Sequence, residues 1–194
     1  MDKDELLSQF LPSIHNYFVL NDKVCSVPTD VTANGLIYNK TAFEKAGVSV
    51  PTSPDEFEQA LKTVMEKGGV QYGLVIDNPT HRWSTILYEF GGSLANENGG
   101  NLSSPESLAA IEYTKHLFDE GIVPKSTWLG GEDPNNMFRS GQVAAHLSGN
   151  WIFINYRDNI TDFEWGVTYL PTEVTRSSVP GGKQLTAFEG SGME

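Results

Sequence analysis

The sequence predicts an α/β sandwich, and three observations carry the prediction. Amphipathic stretches of helical period recur with capping residues at their starts. Short β-branched and aliphatic runs lie between them, and glycines or glycine pairs punctuate most junctions. Helices and short strands alternate along all 194 residues, which excludes an all-helical or an all-β chain.

The opening LLSQFLPSIHNYF (6–18) has helical spacing interrupted by Pro12, and NDK (21–23) reads as a turn. VCSVPTDVTANGLIYNK (24–40) reads as extended chain, with Pro28 marking an edge or a bend. TAFEKAG (41–47) predicts a short helix closed by Gly47. PTSPDEFEQALKTVMEKGG (51–69) specifies a helix most fully: Ser53 as cap, Pro54 at the first position and Glu56 completing a capping box. Phe57, Leu61, Val64 and Met65 then share one face, and Gly68-Gly69 ends the run.

YGLVID (72–77) predicts a strand, NPTHR a turn, and WSTILYEFGG (83–92) a helix with Trp83, Ile86, Leu87 and Phe90 on one side. ANENGGN (95–101) reads as a turn-forming loop. Ser104-Pro105-Glu106 opens another helix whose predicted core face is Leu108, Ile111 and Phe118, with Tyr113 and Leu117 as a smaller apolar pair. NNMFRSG (135–141) is helical, QVAAHLSG a strand stopping at Gly149, and FEWGVTYLP (163–171) a strand by alternation. VPGGKQLTAF (179–188) is a glycine turn followed by a strand.

Composition narrows the partners. Twenty-five acidic against thirteen basic residues give a net charge of −12, and the basic residues are scattered singly, so no nucleic-acid footprint exists. No run approaches a membrane span. The start MDKDELLSQF lacks the basic-then-apolar pattern of a signal peptide, so the expectation is an intracellular protein or one whose front has been cut away. The single cysteine, Cys25, excludes an internal disulfide, and its apolar surroundings predict a buried, inert thiol. The four histidines have no metal-ligand spacing.

No nucleophile-elbow, phosphate-loop, zinc-protease or dinucleotide motif occurs. Asp30 and Glu89 could pair in space, yet no spacing singles out an acid and a base. Instead, tryptophans stand beside turn residues: Trp83 after NPTHR, Trp128 before LGG and Trp151 after SGN. A ring at the end of an element can keep a face open for the C–H face of a sugar, while Asp30, Arg82, Glu89 and Gly181-Gly182 supply polar groups near element ends. Trp165, within a strand pattern, reads as core.

The order of these pieces resembles a known family. VPTDVTANGLIYNKTAFEKAGVSVPTSPDEFEQAL, then WSTILYEFGGSLANENGG, FRSGQVAAHLSGNW and VPGGKQLTAFEGS are similar in sequence and order to segments of the family 1 extracellular solute-binding proteins of ABC importers, its maltose-binding group above all. The resemblance implies a type 2 periplasmic-binding-protein fold, here a single C-terminal lobe with its hinge-strand segments. Residues 1–25 would be the tail of a preceding lobe and 26–192 the ligand-binding lobe, the N-terminal lobe and the C-terminal helices being absent from this chain.

Carried over residue by residue, the resemblance implies ligand contacts at Asp30 and Thr32 in the crossing strand, at Trp83, at Trp151, and at Gly181 and Gly182 in the return turn. It implies no catalytic residue, metal or cofactor, and a monomer that captures a sugar or oligosaccharide for membrane permease subunits. The place would be extracytoplasmic, periplasmic or lipid-anchored. A binding protein for peptide or another small polar solute, or a fragment of a glycoside-processing enzyme, are the alternatives.

Overall fold

The structure, a computed structural model, describes residues 3–76, 80–188 and 190. The chain begins with α1 (Lys3–Leu7), a 3-10 turn (Pro12–Tyr17), the hairpin of β1 (Val19–Leu20) and β2 (Lys23–Val24), and β3 (Val27–Pro28). It continues as β4 (Thr32–Asn39), α2 (Lys40–Ala46), α3 (Pro54–Lys67), β5 (Tyr72–Ile76), α4 (Thr80–Glu89), β6 (Ala95–Asn96), β7 (Gly99–Gly100), α5 (Pro105–Asp119) and α6 (Lys125–Trp128). Then follow α7 (Pro134–Arg139), β8 (Val143–Gly149), a second 3-10 turn (Asn150–Ile152), α8 (Phe153–Asn159), β9 (Trp165–Thr168), β10 (Pro180–Gly181) and β11 (Gln184–Leu185).

Two compact units result: a terminal unit of Met1–Thr32 with Pro180–Glu194, and a central unit of Ala33–Val179. In the terminal unit β3 pairs with β11 antiparallel, Val27 opposite Leu185 and Pro28 opposite Gln184, which joins the outgoing chain to the returning one.

In the central unit β4 lies between β8 and β9, antiparallel to both, and β5 lies outside β8 and parallel to it. Alternate side chains pass to opposite faces, as a pleated strand requires. Leu36, Leu74, Ala145 and Leu147 join Phe57, Leu61 and Val64 of α3, Ile86 of α4 and Leu117 of α5 in one core. Ile37, Val75 and Val143 pack with Met137 and Phe138 of α7 and Tyr156 of α8 in another. Helices on both faces of a mixed sheet make the predicted α/β sandwich. Each fully buried Phe, Leu or Val of this kind contributes about 1.5–3 kcal/mol.

Local expectations fare unevenly. Gly47 closes α2 in the left-handed region at φ 74°, and Asn39 caps its start by accepting from the Ala42 N–H at 2.9 Å. Ser53 precedes α3 as expected, but its hydroxyl donates to the Glu56 carboxylate at 2.9 Å and caps no backbone N–H. ANENGGN, expected to form a turn, makes the β6–β7 hairpin. Helix α4 begins at Thr80, three residues before the expected start, because nothing in Thr80, His81 or Arg82 breaks a helix.

On α5 the buried face is Ser107, Ala110, Thr114 and Leu117, while Leu108 is 46% exposed. Small and hydroxyl-bearing residues win there because α4 and the segment after it approach closely: the Trp83 indole N–H donates to Thr114 Oγ1 at 3.0 Å, and Ser107 Oγ accepts from the Ser93 N–H at 3.2 Å. Cys25, expected to be buried, is exposed. It sits in the link between two strands of two residues each, too short to cover it.

Candidate ligand site

The parallel strands β5 and β8 end on the same side, and in open α/β sheets ligands collect outside such carboxyl ends. From β8 the chain turns tightly through Asn150, whose Oδ1 accepts the Ala33 N–H at 3.2 Å, and presents Trp151. Its indole is 37% exposed, so it is no core plug. The six-membered ring lies against Gly149, where a Cβ would fall inside 3.0 Å of three ring carbons. Arg82, in the first turn of α4, holds its guanidinium carbon 4.8 Å from the Trp151 ring centroid. The His81 ring is 6.5 Å away, tilted by 59°.

Asn34 fixes that first turn. Its Nδ2 donates to His81 O at 3.2 Å and to Thr85 Oγ1 at 3.1 Å, and its backbone carbonyl accepts the Ser178 hydroxyl at 2.7 Å. Strand β4 therefore sets the position of Arg82 over Trp151. Among the described residues the buried Asn34 Oδ1 and Ser148 Oγ have no partner.

Trp83 points elsewhere. It packs against the core beneath α4 and α5 and lines an apolar groove of about 520 Å³ with Ile111, Phe118, Trp128 and Leu129. Trp83 and Trp151 thus do not share a surface, since at about 100° per residue along α4 the Trp83 side chain leaves on a different face from those of Arg82 and His81. Trp165 packs against the second core, as its strand pattern implied.

Asp30, Thr32, Gly181 and Gly182 come together in the terminal unit. Asp30 Oδ1 accepts the Lys183 N–H at 2.8 Å, and Lys183 O accepts from Thr29 N–H at 2.9 Å. Gly182 has φ 144°, and a Cβ there would strike the Asp30 carbonyl, so only glycine suits the turn. A Cβ on Gly181 would lie 2.9 Å from Thr32 Oγ1. Asp30 is thereby occupied in holding the return loop.

Glu89 is 1% exposed. Its carbonyl accepts the Val174 and Thr175 N–H groups at 2.9 and 3.2 Å, and its Oε1 accepts the Ser177 N–H at 2.8 Å. It clasps the segment after β9 and contacts no open surface. Burial raises its pKa above the ordinary carboxyl value, against hydrogen bonds from Thr172 and Ser177 and the charge of Arg176. The folded state therefore holds this proton to higher pH than the unfolded chain, so the stabilisation is complete below the unfolded value and lost as pH rises through the folded one. Glu89→Gln keeps an acceptor for Ser177 and has no proton to lose. Urea midpoints measured from pH 4 to 8 should show the wild type losing stability relative to the variant as pH rises across that window; parallel curves would refute the assignment.

The whole arrangement has counterparts. Residues 1–192 match the family of bacterial extracellular solute-binding proteins. This chain belongs to that family. Among solute-binding relatives, the multiple sugar-binding protein of Streptococcus mutans is 25% identical over 182 residues, 86% of this chain and 43% of its own length. The sn-glycerol-3-phosphate-binding periplasmic protein of Rhizobium meliloti is 26% identical over 204 residues, 96% of this chain and 46% of its own. In structure, the GacH receptor of Streptomyces glaucescens GLA.O, crystallised unliganded and with acarbose, superposes with a TM-score of 0.79 at 26% identity, covering 98% of this chain and 50% of the receptor. The chain spans about half the length of the relatives it matches. Family members of this kind are solute-binding transport proteins, and no helix among the described residues is long and apolar enough to cross a membrane.

Within this solute-binding scaffold the sequence reading missed His81, set aside as an isolated histidine, and gave Arg82 no more weight than other polar residues. The signal was present: both precede Trp83 in the segment that follows β5.

Proposed function

We propose that this chain provides ligand contacts in the capture component of an ABC importer, and that the captured solute is a sugar or oligosaccharide. One observation carries the reading: Trp151 stands part-exposed at the carboxyl end of β8 with charged and polar groups at its rim. An indole offers the apolar C–H face of a sugar ring a stacking surface, and the rim satisfies hydroxyls. The names of the Streptococcus mutans and Streptomyces glaucescens relatives support a carbohydrate.

In this reading the chain is one ligand-contacting lobe of a longer protein, acting outside the cytoplasm, in the periplasm or on a lipid anchor. It works as a monomer, performs no catalysis, and presents its closed form to the permease subunits. Thr32 and the backbone of Gly181 and Gly182 act as polar contacts within their own unit, and Asp30 holds their loop. Trp83, partly buried against the core and lining a separate apolar groove, takes no part.

The test is intrinsic tryptophan fluorescence of the chain titrated with mono- and oligosaccharides. A saturable change of low affinity, as one lobe's share of the contacts implies, is expected in the wild type and in Trp83→Phe, weakened roughly ten- to a hundredfold in Trp151→Ala, the range for losing a central aromatic contact. A response that survives Trp151→Ala, or no response to any sugar, would remove the support for this site.

A further inference from the structure

The groove that Trp83 lines stands apart from Trp151, and its chemistry is different. Its walls are the rings of Trp83, Phe118 and Trp128 with the aliphatic side chains of Ile111 and Leu129. The polar atoms of those walls answer one another: Thr114 Oγ1 accepts the Trp83 indole N–H at 3.0 Å and donates to Ala110 O at 2.8 Å. A hydroxyl-rich solute would give up water there without gaining hydrogen bonds, so the walls suit an apolar body and not a sugar. Leu129 stands 80% exposed at the edge, where an apolar occupant would cover it.

The rim adds charge, with one sign in excess. Lys115 of α5 and Lys125 of α6 both line the groove, and both pair with the single carboxylate of Asp119, Lys125 at 3.8 Å. Two ammonium groups facing one carboxylate complement a further anion. We propose that the groove between α4, α5 and α6 is a second ligand site, and that it takes a small amphiphilic carboxylate, an alkanoate or aryl-alkanoate whose apolar body lies along the rings and whose head meets Lys115 and Lys125. The volume of about 520 Å³ is that of a small-molecule pocket. A stable protein interface draws on roughly 20–30 residues a side, and the nine that line this groove fall well short of that. A second copy of the chain would also bring its own charge of −12 against this one, which opposes association.

The probes are octanoate, octanol and octylammonium, titrated below their aggregation limits and followed by intrinsic fluorescence, to which Trp83 and Trp128 contribute from the walls. Octanoate is expected to bind at least about threefold more tightly than octanol, and octylammonium more weakly than either. The double variant Lys115→Gln with Lys125→Gln, both at exposed side chains, should bring octanoate to the level of octanol or below, and high salt should narrow the same difference. Leu129→Asp should weaken octanoate and octanol alike. Trp151→Ala should change neither, which keeps this site separate from the sugar site in both success and failure. No binding of octanoate, equal affinity for the three probes, or a carboxylate preference that persists without the two lysines overturns the inference. Sedimentation velocity supplies the remaining outcomes: association that rises with concentration and disappears in Leu129→Asp would assign the groove to contact between copies, and an acidic amphipathic peptide that binds where octanoate does not would assign it to a protein partner, each overturning the small-ligand site.

Discussion

Gly149→Ala is expected to remove the Trp151 site while leaving the central unit folded. The backbone at Gly149 is extended, φ −135° and ψ 177°, a conformation any residue adopts, so the glycine is there for space. Its Cα supports the indole so closely that an added methyl would overlap three ring carbons. Those atoms are the far end of a side chain, and the indole can swing outward at little cost to the fold. The Arg82 contact is lost with it. The urea midpoint should shift by less than the equivalent of about 1 kcal/mol, the tryptophan emission should move to the red, and ligand-induced fluorescence change should weaken roughly ten- to a hundredfold. A variant that keeps wild-type emission and binding would mean the indole finds another seat of equal use, and that Gly149 does not position it.

This glycine also marks how far the sequence can be read. The pattern SGNW placed a strand end and a tryptophan side by side, and the structure has both. Periodicity identified α3 and its buried face because Phe57, Leu61 and Val64 are large apolar residues turned into one core shared with α2 and the sheet, the situation a one-sided stripe describes. It misjudged α5 because that helix touches α4 as well as the sheet, and close helix approach selects Ser107, Ala110 and Thr114 over the larger Leu108. Trp83 looked like Trp151, each following turn residues, but α4 starts earlier than the first large apolar residue. Inside a helix, a shift of two positions is a different face. The polar groups beside Trp151 were hidden for the same reason: Arg82 and His81 reach it from another segment, and no spacing within one segment encodes that meeting. Asp30 and Glu89 were legible as polar residues near element ends but not as clasps, since their partners Lys183 and Ser177 lie far along the chain.

The platform beneath Trp151 predicts the largest loss of stability. Phe138 is fully buried, stacked on Tyr156 with centroids 5.0 Å apart and edge-on to Phe163 at 5.7 Å. Tyr156, also fully buried, meets His146 Nδ1 through its hydroxyl at 2.7 Å. These side chains join α7 and α8 to the underside of β8, and Trp151 sits in the short turn between β8 and α8. Phe138→Ala removes the central ring from an aromatic cluster whose members lie on β8, on α8 and in the loop before β9 and cannot all collapse onto the void. It should cost about 3–5 kcal/mol, read as a fall in the urea midpoint at unchanged slope. Phe138→Leu, which keeps most of the volume, should lose clearly less. Leu129→Ala, at a side chain 80% exposed, should stay within about 0.5 kcal/mol of the wild type. A loss below about 1 kcal/mol for Phe138→Ala would show that the cluster yields easily, and then the seat of Trp151 would owe its position to Gly149 and Asn150 alone. A loss in the expected range accompanied by weakened sugar binding at temperatures where the variant is still folded would tie the two together: the same aromatic layer that holds the sheet's second face also fixes where the indole stands.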